Sequence, residues 1–192
     1  MTRLLTVILT AVTLVAGTGL AMADQEFNPI AQLFGFNPGA GSGGPGPIPR
    51  TTVSFQGNYA PGTIIIDTRE RRLYLVQDGG RALRYGIGVG RDGFRWGGVH
   101  RITAKKEWPS WTPPAQMLRR RPDLPRHMVG GPDNPLGARA MYLGSTLYRI
   151  HGSNEPETIG QAVSSGCFRM VNDDVIDLYS RVQVGATVIV KN

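Results

Sequence analysis

Beyond residue 60 the chain is a succession of short apolar runs separated by polar turns. Residues 63–67 carry Ile64, Ile65 and Ile66, and residues 72–77 carry Leu73, Tyr74, Leu75 and Val76, with a charged turn between them. Asp78-Gly79-Gly80 leads into a third strand over 81–89. Two more, 138–143 and 146–150, flank Gly144-Ser145, and residues 187–190 form a last one. Many short strands with turn residues between them predict a mostly β fold, sandwich- or barrel-like, with one or two short helices. One helix is marked by Val171, Val175, Leu178 and Val182 at helical spacing. Asn172 is the expected N-cap, Asp173 and Asp174 suit the positive end of the helix dipole, and Gly185 follows. Between 107 and 136 prolines recur so densely that no long regular element fits. That stretch reads as an irregular but ordered lid, pinned to the body by Trp108, Trp111 and Met117.

The first residues have a different character. Arg3, an apolar run from Leu4 to about Leu20 and the small residues Ala21-Met22-Ala23 compose a secretory signal peptide, residues 1–23, with cleavage expected after Ala23; the rival reading is a retained membrane anchor. No other segment approaches the roughly 20 apolar residues that span a bilayer. Residues 24–58 have few periodic apolar positions and include the tract Gly39-Ala40-Gly41-Ser42-Gly43-Gly44-Pro45, so they read as a flexible Gly/Pro-rich tether ahead of a single domain, 59–192. The formal net charge of +7 suits an anionic polymer such as a cell wall. Export and the lack of any nucleic-acid-binding module argue against nucleic acid.

Export also makes the single cysteine, Cys167, informative. In an oxidising compartment an unpaired cysteine is either buried and inert or kept for its chemistry. Cys167 sits among small residues in Ser164-Ser165-Gly166-Cys167-Phe168-Arg169, on the connection leading into the predicted helix, and His151 lies sixteen positions before it. A thiol becomes a useful nucleophile when an imidazole takes its proton, and that imidazole can later protonate a leaving amine. The backbone N–H groups of Cys167 and Gly166 are candidate oxyanion donors, and Arg169 can hold a carboxylate through two parallel contacts. One cysteine and three scattered histidines show no metal-ligand spacing. Gly86-x-Gly88-x-Gly90 lacks the spacing of a dinucleotide-binding turn.

The combination His151-Gly152-Ser153-Asn154-x-Pro156-x-x-Ile159-Gly160 and Ser164-x-Gly166-Cys167-x-Arg169-Met170-x-Asn172-x-Asp174-Val175 resembles the signature of the YkuD-type L,D-transpeptidases. The likeness runs from about Pro61 to the C-terminus, through Trp108-Pro109, Trp111-Thr112-Pro113-Pro114 and Asn134-Pro135-Leu136-Gly137. It implies a β-rich catalytic domain in the periplasm that acts on peptidoglycan stem peptides with neither metal nor organic cofactor, with a monomer as the expected state. It implies that Cys167 attacks the carbonyl of the third stem residue, typically meso-diaminopimelate, and expels D-Ala, with His151 as general base and acid. The acyl group then passes to a second stem as a 3→3 cross-link, to an envelope protein or to a D-amino acid; with water the enzyme is an L,D-carboxypeptidase. Gly166, Ser165 and Gly152 are the implied oxyanion and positioning residues, and Arg169, Asn154 and Ser164 the implied substrate-binding ones. Ser165 stands where the family commonly has histidine, which bears on positioning and acceptor choice. His100 reads as structural, and His127 is assigned no role. Sortases separate histidine and cysteine much further, and papain-like wall hydrolases reverse their order. The alternative of a different class is a catalytically impaired module that only binds peptidoglycan.

Overall fold

Ile64, Ile65 and Ile66 are all buried, although a strand with one wet face would expose every second residue. The reason is their place in the middle of the sheet. In the computed structural model, which describes residues 47–192, the chain forms β1 (Thr51–Ser54), β2 (Ile64–Asp67), β3 (Arg72–Gln77), β4 (Arg81–Gly86), β5 (Val89–Gly90), β6 (Gly98–Glu107), α1 (Ala115–Arg120), β7 (Arg139–Leu143), β8 (Arg149–His151), a 3-10 turn (Pro156–Thr158), β9 (Ala162–Ser164), β10 (Phe168–Arg169), α2 (Asn172–Arg181) and β11 (Thr187–Lys191). Nine strands make one sheet in the order β1-β4-β3-β2-β11-β6-β7-β8-β10, and β5 pairs with β9. The sheet curls until β10, its last strand, meets the segment after β4: Gly88 and Arg169 exchange two backbone hydrogen bonds, each 2.9 Å. The mostly β architecture expected from the sequence is the one observed. Among the described residues no helix is long and apolar enough to cross a membrane.

The main core lies inside this curl. Leu73, Leu75, Tyr85, Ile102, Met141, Ile150 and Phe168 meet Val175 and Leu178 of α2. The aliphatic stripe of α2 predicted from helical spacing is therefore the face that is buried, while Lys105 of β6 donates to the carbonyls of Tyr179 and Val182 at 2.7 Å, satisfying acceptors at the end of that helix.

Several boundaries differ from the sequence reading. The predicted signal peptide and residues 24–46 of the predicted tether lie outside the described residues. The remainder of that tether is ordered: β1 pairs antiparallel with β4, and Arg50 contacts Asp174 and Asp177, each at 3.3 Å, so the domain begins before residue 59. The predicted strand 81–89 is broken after Gly86, where the chain leaves β4 to meet β9 and β10. The longest strand, β6, was not predicted. Only Ile102 of its ten residues is buried, so it has no apolar alternation to read; it is fixed by ladders to β11 and β7 instead.

Asn172 is not the N-cap of α2. Val171 occupies that position, and the Asn172 Oδ1 reaches across to accept the N–H of Ala138 at 2.9 Å, tying the helix start to the strand that leads into β7. The lid is ordered but anchored differently. Trp108 is 43 % exposed, whereas Trp111 is 6 % exposed and packs with Leu124 and Leu136 in a second apolar cluster flanked by Met117, Leu118 and Met128. Trp111 and Met128 exchange two backbone hydrogen bonds of 2.8 Å. Buried Asn134 donates to the carbonyls of Met128 and Val129 and accepts from Leu136 N–H, fastening the base of the lid.

Replacing Asn172 with Ala leaves the buried Ala138 N–H without its acceptor. We expect a loss of about 1–3 kcal/mol, read as a lower urea midpoint at unchanged m-value.

Candidate active site

Two residues of β10 pair in parallel with β8, Phe168 beside Ile150 and Arg169 beside His151. Side chains alternate across a strand, so Ile150 and Phe168 point into the core while Arg149, His151 and Arg169 share the opposite face. Cys167 directly precedes β10 and joins that face, across from Arg149. There they line one cavity of about 900 Å³, whose other walls include Arg91, Phe94, Ser165, Tyr148 and the lid residues Trp111, Met117, Arg120 and Leu136. His151 and Cys167, sixteen residues apart in sequence, are brought to a common surface by this ladder.

The turn that presents Cys167 is shaped from within. Ser164 Oγ accepts the Gly166 N–H at 3.1 Å and donates to the Cys167 carbonyl at 2.6 Å. Gly166 has φ +109°, a conformation side-chain-bearing residues rarely adopt, and a Cβ there would collide with the Tyr148 ring. The Tyr148 ring is stacked on Trp96 with centroids 4.3 Å apart, and Trp96 Nε1 donates to the Gly166 carbonyl at 2.6 Å. His100 packs edge-on against Trp96, a structural place in keeping with its expected role. His127 bonds Thr112 within the lid and does not line the cavity.

Some predicted site residues occupy different positions in the hydrogen-bond network. The Gly166 N–H is taken by Ser164, and the Gly152 N–H by the Arg139 carbonyl, so neither is free to meet an oxyanion. Gly152 acts through its carbonyl instead, which accepts the His151 Nδ1–H at 2.6 Å; the Nε2 lone pair is then left to take a proton. Ser164 is 3 % exposed and its hydroxyl is spent on the turn, not on substrate. Ser165 lines the cavity and accepts from Arg91 at 3.3 Å. Asn154 is outside the cavity wall and donates to the Asp133 carbonyl at 3.1 Å. Arg169 lines the cavity, but its guanidinium is held at 2.6 Å by the buried carboxylate of Glu155. Sequence reasoning missed Arg149, Glu155, Trp96 and Tyr148. Arg149 had a signal, because strand residues two apart share a face and it stands two before His151. Trp96 had none, since it lies about seventy residues upstream of the turn that it supports.

Burial sets the protonation states. His151 is 4 % exposed, and loss of solvent, with Arg169 and Arg149 nearby, pushes its pKa down to about 3. Burial likewise pushes the Cys167 thiol above its ordinary value, while Arg149 and Arg169 pull the other way. At rest the thiol and the imidazole are both neutral, and Cys167 Sγ has the Leu147 carbonyl as its acceptor at 3.9 Å. The N–H groups of Ile87, Gly88 and Val89 all bond backbone carbonyls, so the Gly86-x-Gly88-x-Gly90 segment offers no cradle for phosphates. Among the described residues no three His, Cys, Asp or Glu side chains converge as a metal site.

The family model of YkuD, the L,D-transpeptidase catalytic domain, matches residues 61–190, and the chain belongs to this family. It is 40 % identical over 134 residues to the probable L,D-transpeptidase YbiS of Escherichia coli (strain K12), covering 65 % of this chain and 43 % of that one. The match spans less than half the length of the two Escherichia coli relatives ErfK/SrfK and YbiS, 42 % and 43 %. Among solved structures it is 49 % identical to one described as a probable carnitine operon oxidoreductase from Brucella melitensis, with TM-score 0.52 and coverage of 73 % of this chain and 91 % of that one. An L,D-transpeptidase from Mycobacterium smegmatis shares the fold at 19 % identity, with TM-score 0.55 and coverage of 68 % and 58 %.

Two outcomes follow from the neutral resting pair. Alkylation of Cys167 by iodoacetamide should rise about tenfold per pH unit through neutrality without a plateau; a rate already flat at pH 6–8 would mean a preformed thiolate. Because the His151 pKa lies below its unfolded value near 6.5, the unfolded chain binds the extra proton between pH 6.5 and 3. His151 therefore contributes stability that is complete above pH 6.5 and is lost as pH falls toward 3. Urea titrations of His151→Gln against the native protein should show this acid-side component missing from the variant.

Proposed function

We propose that this domain is a periplasmic L,D-transpeptidase that transfers the acyl group of a peptidoglycan tetrapeptide stem. The observation that carries the reading is the ladder between β8 and β10, which sets Cys167 and a neutral, oriented His151 on one wall of a peptide-sized cavity. The predicted signal peptide supports the compartment, and family membership supports the reaction class.

The chemistry begins when His151 Nε2 takes the thiol proton as Sγ attacks the carbonyl of the third stem residue. The tetrahedral oxyanion is met by the Cys167 N–H, the donor of this turn that Ser164 leaves unused. Collapse breaks the amide bond, and the imidazolium returns its proton to the departing D-Ala amine. The product is a thioester. An amine then attacks it, giving a proton to His151, which passes it to the departing sulfur as the C–S bond breaks, so thiol and neutral imidazole are both restored. Burial keeps the imidazole free of a proton at working pH but weakens it as a base, so proton transfer has to accompany the attack of sulfur on the carbonyl and charge appears only transiently. The acceptor is a second stem, a protein amine, a D-amino acid or, in hydrolysis, water. Ser165, bonded to Arg91 at the cavity wall, lies where it can touch the acceptor or the donor.

The test is incubation of residues 24–192 with purified tetrapeptide muropeptides, followed by intact-mass analysis of enzyme and products, with Cys167→Ala alongside. The expected result is an acyl-enzyme, release of D-Ala and dimers that vanish in the variant. Tripeptide monomers alone would identify a carboxypeptidase. A folded protein that never acylates would be a wall-binding module.

A further inference from the structure

Among the described residues the cavity around Cys167 is lined by five arginines, Arg91, Arg120, Arg121, Arg149 and Arg169, and by no aspartate or glutamate. These cations differ in what already holds them. Arg121 is paired with Asp123 at 2.8 Å, and Arg169 with Glu155 at 2.6 Å. Drawing Arg169 toward a ligand would strand the Glu155 carboxylate, 4 % exposed, without its counter-ion. Arg91 and Arg120 lie over the Phe94 ring, 4.3 and 5.1 Å from its centroid, and Arg91 already donates to Ser165 Oγ at 3.3 Å.

Arg149 is different in both place and bonding. It faces Cys167 across the ladder that builds the site. Its guanidinium rests near the Tyr142 ring, 5.4 Å from the centroid, and donates to the Leu147 carbonyl at 3.2 Å. Among the described residues no carboxylate pairs with it, and its buried Nε has no hydrogen-bond acceptor. A planar cation with unspent donors beside the nucleophile matches a carboxylate. We propose that Arg149 captures a free carboxylate of the acyl donor, so that the enzyme selects peptides in which that group is unblocked and rejects those in which it is amidated. This rests on the transpeptidase reading and names its donor class. Two carboxylates of a tetrapeptide stem lie near the scissile bond: the terminal one of the departing residue and the one on the third residue's side chain.

Three synthetic tetrapeptide donors separate the possibilities, one with both carboxylates free and one amidated at each position. Arg149→Gln should lower kcat/KM for the free donor by about 10- to 100-fold, the scale of a charge-assisted contact. The native enzyme should lose a similar factor on one amidated donor, and on that donor Arg149→Gln should cost no more than about twofold. The donor showing this coupling identifies the carboxylate. Arg149→Lys, which keeps the charge but not the fork, should fall between. Equal losses on all three donors, or none, would overturn the proposal. If the native enzyme turned over none of them, the transpeptidase reading would fall, and calorimetric binding of the free tetrapeptide to the Cys167→Ala protein would still decide: affinity weakened tenfold or more by Arg149→Gln sustains the carboxylate contact, and unchanged affinity removes it.

Discussion

The site depends on a strand only two residues long. Phe168 and Arg169 are paired in parallel with Ile150 and His151 on one side and bridged to Gly88 on the other, so β10 cannot slide without breaking ladders on both edges. A slip of one residue would send Cys167 to the core face and leave His151 outside with no partner. Everything chemical about the molecule follows from that register, and the curl of the sheet is what supplies the second edge that holds it. The large buried side chains Ile150 and Phe168 anchor the same register from below, because only the observed pairing lets both fill the core together.

The polar network around the ladder has a consistent logic. Each group near the reacting atoms is tied by a neighbour that does not itself react: the Gly152 carbonyl fixes the imidazole, Ser164 fixes the turn, Trp96 holds the Gly166 carbonyl, and Glu155 fixes Arg169. Orientation is thereby set before substrate arrives, which lowers the cost of organising the transition state. Burial keeps His151 and Cys167 neutral at rest, so the two reacting groups carry no standing charges of their own.

Much of this was legible in the sequence where burial leaves a periodic trace. Strands β3 and β11 and the helix α2 were visible because their inward residues repeat at two or near 3.6 positions, and β2 and β7 because their apolar runs are continuous. Strand β6 was hidden because a single residue, Ile102, faces the core, and the neighbouring backbones hold the rest. The Asn172 cap failed for a related reason: the side chain that ordinarily serves its own helix found a backbone N–H thirty-four positions away. Cys167 and His151 stood out through their types and spacing, whereas the functions of Gly166, Gly152 and Ser164 could not be separated without knowing which N–H groups were already spent. Glu155 and Trp96 act through contacts between segments remote in the chain, and such contacts leave no local pattern. Arg149 was readable from strand alternation, once β8 was recognised as the strand that carries the histidine.

The lid has its own small apolar cluster, Trp111, Leu124 and Leu136, sharing no member with the main core inside the curl. Its attachment to the body runs through isolated contacts such as the Trp108 N–H to the Ala138 carbonyl. Two separate cores in one domain make two cooperative units. The roof over the thiol can therefore loosen at a fraction of the free energy needed to melt the sheet, while the nucleophile and its base stay fixed beneath it. In the proposed reaction, on a strand of an enormous covalent net, that division lets a segment of polymer enter sideways, be clamped and be let go, without its free end ever having to be threaded.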